Sequence, residues 1–218
     1  MPGAAPMNPV YFTCWSLARL IFAAYFRWRV YHSERVPLKG PVILASNHAS
    51  YLDPPLVGAG LKRTINYLAR ASLFRFPGFG ALLRGCHAVP VERDGGGAAG
   101  LRAILERLLA GEGIILFPEG TRTYDRKLQP AHSGIGLTVI KSNAPVVPTR
   151  VFGTYDAFGR HMRFPHPRRV AVKYGEPIYF ETYRTEARTC SKQRLKEIYQ
   201  QVADDIMTAI ANLKEGND

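Results

Sequence analysis

The sequence predicts an α/β fold: a single domain whose mixed central sheet is flanked by helices, with an N-terminal membrane-associating helical element. Three observations predict it. Short apolar runs of buried-strand type alternate along the chain with segments of helical periodicity, the pattern of a layered α/β architecture. The length of 218 residues suits one sizeable core and requires no second. The first 30 residues differ from the rest, being apolar and aromatic with arginines close behind.

In chain order, Val10 to Phe26 is a mostly apolar stretch interrupted by Arg19. It is shorter than the about 20 residues a spanning helix needs. No Lys or Arg precedes it, so it lacks the basic start of a signal peptide. Trp15, Tyr25, Phe26 and Trp28 surround it and Arg27, Arg29 and Arg35 follow, as in a helix lying in the lipid interface. An amphipathic helix packed on the protein's own core fits the same pattern. Residues 1–35 are therefore read as an interfacial helical segment, and 36–218 as the main domain.

Val42-Ile43-Leu44-Ala45 reads as a buried strand, and Asp53 before Pro54-Pro55 as a helix start whose carboxylate caps free amides. Further strands are expected over 65–69, 88–91, 114–117, around 146–151 and over 170–174. Phe76 to Gly80 reads as an apolar, turn-rich stretch, and Gly95-Gly96-Gly97 as a flexible break. Leu101, Ile104, Leu105, Leu108 and Leu109 make one face of a helix that Gly111 and Gly113 end. Gly136 to Lys141 is expected to be helical. The last helix, Ser191 to Leu213, carries a core-facing stripe of Leu195, Ile198, Val202, Ile206, Ile210 and Leu213.

The hydrophobic fraction of 46% and charged fraction of 21% exclude a disordered tail. A net charge of +12 suits an anionic partner: nucleic acid, anionic lipid or a phosphorylated small molecule. The basic residues do not alternate with aromatics in a stacking pattern, which disfavours nucleic acid. Cys14, Cys86 and Cys190 are too scattered for a disulfide framework or a zinc site.

Chemistry is suggested first by His48 and Asp53. On a continuous helix, residues five apart point about 140° away from each other. In a loop between a strand and a helix, the chain can curl so that the carboxylate holds the imidazole. One ring nitrogen then faces a reacting hydroxyl, as a general base requires. Alone, the spacing is common by chance, and a helix cap is enough to account for Asp53. Phe117-Pro118-Glu119-Gly120-Thr121-Arg122 puts further charged groups at a strand's end, where α/β folds build their sites. Arg122 offers a planar fork of donors for phosphate oxygens, and Gly120 permits a tight turn. Glu119 either pairs with Arg122 or hydrogen-bonds substrate hydroxyls. Arg93 is either a second cation of the same pocket or an exposed arginine. Val147-Pro148 is expected to line the pocket or the acyl channel. No nucleophile elbow, P-loop or dinucleotide fingerprint competes.

Taken together, NHASYLD at 47–53, VPVER ending at Arg93, FPEGTR at 117–122 and VVP at 146–148 resemble the glycerolipid acyltransferase family in identity and order. The likeness is greatest to bacterial 1-acyl-sn-glycerol-3-phosphate acyltransferases and covers roughly residues 36–177. It implies transfer of a fatty acyl group from acyl-CoA or acyl carrier protein to the free hydroxyl of lysophosphatidic acid (1-acyl-sn-glycerol 3-phosphate), giving phosphatidic acid. It also implies His48 and Asp53 as the catalytic pair, with no metal and no cofactor. Arg93, Glu119, Gly120, Thr121 and Arg122 are implied as holding the acceptor's glycerol phosphate. The partners implied are a membrane lipid surface and no nucleic acid, at the cytoplasmic face of the cell membrane, as a peripheral or monotopic protein. The sequence departs from the family's pattern at Arg70, where relatives often carry Lys, and at Ala131-His132-Ser133, where they are Lys-rich. The departures leave open another lysophospholipid, glycerol 3-phosphate or a lyso-ornithine lipid as acceptor. A membrane- or polyanion-binding protein without enzymatic activity is the competing class.

Overall fold

The computed structural model describes residues 7–92 and 97–216. Its centre is a five-stranded mixed sheet. The strands are β1 (Arg29–Tyr31), β2 (Val42–Ser46), β5 (Gly113–Leu116), β6 (Val146–Phe152) and β7 (Ala171–Tyr174), in the order β1-β7-β6-β2-β5. All neighbours are parallel except β6 and β7. A parallel pair, β3 (Tyr67–Arg70) and β4 (Ala88–Val91), lies beyond β5. An isolated bridge from Asn66 to Ile114 ties it there.

The two-residue period of a strand explains the layers. Val42 and Leu44 of β2 face one core, with Leu56, Val147, Val172 and Phe26. Ile43 and Ala45 face the other, with Leu108, Val139, Ile198 and Ile206. The first layer of helices is α1 (Pro9–Phe26) and α2 (Asp53–Ala59). The second is α4 (Gly97–Leu109), α5 (Gly134–Ser142) and α8 (Lys192–Asn212). Ile198, Val202, Ile206 and Ile210 of α8 are fully buried, so the expected stripe faces the core. Helices α5 and α8 approach closely: a Cβ on Gly136 would sit 1.9 Å from the Tyr199 carbonyl oxygen.

Helix α1 satisfies both readings of its pattern. Tyr11, Phe22 and Phe26 are buried against the domain, while Phe12, Leu17, Leu20 and Ile21 are exposed. Arg19 is accommodated because its guanidinium donates to the Ala59 carbonyl at 2.8 Å and lies over the rings of Trp15 and Trp28. Among the described residues no helix is long and apolar enough to cross a membrane.

The structure departs from the sequence reading at several places. Phe76–Gly80 is not a loop: a 3-10 turn over Ala71–Arg75 runs into α3 (Pro77–Gly85), with Pro77 opening the helix. Three short elements carried no recognised signal, namely β1, α6 (Thr154–Phe158) and α7 (Glu181–Glu186). Val146, Val147 and Pro148 line neither of the two cavities beside the site described below; they are buried in mid-sheet beside β2. Of the glycine break, residues 95 and 96 lie outside the described residues, and Gly97 opens α4.

Candidate active site

The parallel strands β2 and β5 end side by side, and the two segments singled out in the sequence leave from their C-terminal ends. After β2, Asn47 fastens the chain to β6: its side-chain oxygen accepts the Val151 amide at 2.8 Å. His48 follows, then a tight loop into α2. The Ser50 hydroxyl donates to the Phe158 carbonyl at 2.6 Å and accepts the Leu52 amide at 3.0 Å, which holds the loop's far side.

Asp53 is fully buried. Its Oδ2 lies 2.8 Å from His48 Nδ1 and accepts the amides of Ala49 at 2.6 Å and Ser50 at 2.7 Å. The expected helix cap is therefore corrected. Asp53 is the first residue of α2, and its carboxylate turns back onto the loop before it instead of capping the amides ahead. With Nδ1–H given to Asp53, His48 is the tautomer whose Nε2 is free to accept a proton. The imidazole also stacks on Phe117, with centroids 4.0 Å apart and planes at 18°, which fixes the ring's orientation.

Glu119 is almost wholly buried and pairs with no arginine among the described residues. Oε1 accepts the His48 backbone amide at 2.7 Å, and Oε2 accepts the Gln129 amide at 2.9 Å. The Thr123 amide donates to the His48 carbonyl at 2.8 Å. The two loops are thus clasped to each other through His48's own backbone. Burial pushes the Glu119 carboxyl up from its ordinary range, against the two amides that pull it down. Gly120, at φ +67°, makes the turn, and a Cβ there would meet the His132 ring at 2.9 Å. Thr121 is half-buried on the same turn.

Arg122 is placed with His48's loop by Tyr51, over whose ring its guanidinium lies at 3.5 Å. Its Nη1 is buried and has no hydrogen-bond partner. Arg160 joins it from the segment after α6. Its guanidinium donates to the Arg122 carbonyl at 3.2 Å and covers the Tyr124 ring at 3.6 Å. The Tyr51 phenol is pulled below its ordinary range, first by a hydrogen bond with Arg122 and by that residue's charge, then by Arg160 and Arg70. None of these three arginines forms an ion pair among the described residues. Arg93 lies outside the described residues.

A buried-carboxylate–imidazole pair beside an unneutralised arginine cluster can take a proton from a hydroxyl on a phosphorylated molecule. The profile of the acyltransferase family matches residues 27–151, more than half of the chain. The chain belongs to the acyltransferase family.

The acyltransferase is 27% identical over 187 residues to a 1-acyl-sn-glycerol-3-phosphate acyltransferase of Bacillus subtilis (strain 168), covering 85% of this chain and 89% of that protein. It is 31% identical over 146 residues to a protein of the same name from Limnanthes douglasii, covering 64% of this chain and 51% of the plant protein. A lyso-ornithine lipid O-acyltransferase of Pseudomonas aeruginosa is 29% identical over 140 residues, 64% of this chain and 52% of that one. The fold is shared with the crystal structure of the 1-acyl-sn-glycerophosphate acyltransferase PlsC from Thermotoga maritima. The TM-score is 0.71 at 24% identity, over 94% of this chain and 81% of that chain.

Two apolar cavities flank the site of the acyltransferase. One, of about 390 Å³, runs from Tyr51 and Pro54 to Tyr11 and Trp15 of α1. The other, of about 620 Å³, lies between α4 and α5 and reaches Phe117, Gly120 and His132. Sequence reasoning missed Tyr51, Thr123, Gln129 and Arg160. Tyr51 stands inside the motif and was in view; Arg160 is 38 positions from Arg122, and only the fold joins them.

Proposed function

We propose that this acyltransferase moves a fatty acyl group from acyl-CoA or acyl carrier protein to the free hydroxyl of 1-acyl-sn-glycerol 3-phosphate, forming phosphatidic acid. The observation that carries the reading is the 2.8 Å contact of His48 Nδ1 with a carboxylate that also holds two loop amides. The names borne by its relatives from Bacillus and Limnanthes support this acceptor.

His48 Nε2 takes the proton of the acceptor hydroxyl as that oxygen attacks the thioester carbonyl, and Asp53 stabilises the imidazolium that forms. The new C–O bond makes a tetrahedral adduct. On its collapse the C–S bond breaks, and the imidazolium returns the proton to the departing thiolate. No covalent enzyme intermediate, metal or cofactor is called on. Arg122, with Arg160, Arg70 and Arg93, receives the acceptor phosphate, so that orientation selects the hydroxyl. Gly120 and Thr121 shape the turn beneath it, and Glu119 positions His48 through its backbone instead of touching substrate. The 390 Å³ cavity beside Tyr51 suits an acyl chain.

Residues 1–35 form the membrane-associating element on the domain of residues 36–218, and the protein works at the cytoplasmic face of the membrane as a peripheral or monotopic enzyme. The exposed apolar face of α1 and the +12 charge support this. A lyso-ornithine lipid acceptor is the second reading, favoured by the relative of that name. Three arginines without a carboxylate partner among the described residues favour the phosphate.

The test is purified protein with labelled acyl-CoA or acyl carrier protein against lysophosphatidate, glycerol 3-phosphate, a lyso-ornithine lipid and monoacylglycerol, with products weighed by mass spectrometry. Lysophosphatidate-dependent thiol release is expected. Turnover confined to the lyso-ornithine lipid would replace the acceptor, and no turnover on any acceptor would end the reading.

A further inference from the structure

The distribution of acids along the chain is uneven. Residues 1–91 hold ten lysines and arginines and two acids, Glu34 and Asp53; the other 15 acids all follow. Helix α1 and the whole Ala71–Gly85 segment are thus free of carboxylates. The two are fastened together, for the Asn8 side chain donates to the Gly85 carbonyl at 3.0 Å, and Val10 packs against Gly85.

Each presents apolar side chains that the domain leaves uncovered. On α1 these include Phe12, Leu17 and Leu20. On the second segment Phe76 is 65% exposed, Phe79 46% and Leu82 42%. Large apolar side chains clustered on a surface mark an interaction site. Arg75 and Arg84 are exposed among them and form no ion pair among the described residues. Aromatic side chains interleaved with unneutralised cations suit the boundary between acyl chains and anionic headgroups.

The cavity supplies the connection to the chemistry. Its wall is built by Cys14 and Trp15 from α1 on one side and by Leu73 and Leu83 from the second segment on the other, and it ends at Tyr51 under Arg122. Resting on the membrane reading above, we propose that Ala71–Gly85 is a second membrane-inserting element beside α1. The cavity between them opens into the bilayer's acyl region. An acyl chain then passes from lipid to His48 without crossing water, and a lysolipid's phosphate stays at headgroup level with the arginines.

The test is flotation of the full-length protein with phosphatidylcholine vesicles, with and without phosphatidylglycerol. The double variant Phe76→Ser/Phe79→Ser should lose at least about tenfold in partitioning, the factor that one buried phenylalanine supplies. Its thermal midpoint should change little, because both side chains are already exposed in large part. Arg75→Gln and Arg84→Gln should each lose about fivefold, on phosphatidylglycerol vesicles alone. Turnover of vesicle-embedded lysophosphatidate should fall in the double variant, and that of a short-chain dissolved acceptor should not. Unchanged flotation, or equal loss on both acceptor forms, would overturn the proposal. So would a change from dimer to monomer in vesicle-free solution, which would make the patch a contact between copies. If the acyl-transfer reading fails, the wild type turns over no acceptor, and the flotation result still decides.

Discussion

The carboxylate of Glu119 accepts the backbone amide of His48 at 2.7 Å, and its other oxygen accepts that of Gln129 at 2.9 Å. A glutamine there keeps the shape but presents an NH2 group to one of two donors. Glu119→Gln should therefore lose about 1–3 kcal/mol of stability by leaving a buried amide unpaired. Turnover should fall as His48 loosens, with little change in acceptor KM. The pH dependence has a definite sign. Because burial raises the carboxyl in the fold, folded protein holds its proton more tightly than the unfolded chain does. Glu119's stabilising contribution is fully present below the ordinary glutamate range and is lost as pH rises through the raised value. Chemical denaturation across that range should show the gap between wild type and variant narrowing towards neutrality, and a widening gap would mean that the two amides outweigh burial.

Asp53→Asn tests the orientation of the imidazole. The amide oxygen can accept from Ala49 and Ser50, but an oxygen so placed no longer carries the charge that steadies an imidazolium. If the NH2 group faces Nδ1, the proton is driven to Nε2, where it blocks the base. Turnover should drop by about 10²–10⁴-fold, the range of a general base's contribution, with the fold retained. His48→Ala should fall at least as far. Steady-state kinetics with circular dichroism on both variants checks this, and near-normal turnover in either would sink the mechanism.

Much of the frame is legible in sequence because β2 and β5 are buried on both faces and so read as continuous apolar runs, while α8 keeps one stripe for the core. What escapes is whatever tertiary contact decides. Helix α3 opens on Phe-Pro-Gly-Phe-Gly, poor helix-forming chemistry, and its packing on the neighbouring turn, β4 and α1 holds it helical. The three residues of β1 are a strand because β7 pairs with them. In the site, His48 and Asp53 are local and could be read from their spacing. Glu119 was legible as a residue but not as a clasp, since its partners are His48 and Gln129 amides that carry no side-chain signal.

Arg122 and Arg160 make a graded test of the acceptor phosphate. Arg122 is half-buried over Tyr51 and has no carboxylate partner among the described residues, so its charge is left for a phosphate. A hydrogen bond to a charged group contributes about 1.5–3 kcal/mol, so Arg122→Gln should raise KM for lysophosphatidate by about 10–100-fold. Arg160→Gln should raise it less, and Arg160→Lys should restore part of the loss. Neither should alter turnover of monoacylglycerol, which carries no phosphate. Initial rates on the two acceptors separate the outcomes; equal losses on both would assign the arginines to holding the fold.

The contact between α5 and α8 gives a test of the scaffold alone. Gly136 faces the Tyr199 carbonyl so closely that a Cβ would lie 1.9 Å from its oxygen, and that oxygen belongs to helix backbone, which cannot rotate away. Gly136→Ala adds the better helix former, so propensity alone would stabilise α5. Overpacking should win, because separating the helices disturbs Val139 against Ile198 and Val202 in the core, at about 1–3 kcal/mol. The variant should melt lower, yet keep near-normal KM for both substrates below its transition, since His48 and Arg122 hang from β2, β5 and their loops. A variant as stable as wild type would mean that α5 and α8 pack less tightly than this contact requires.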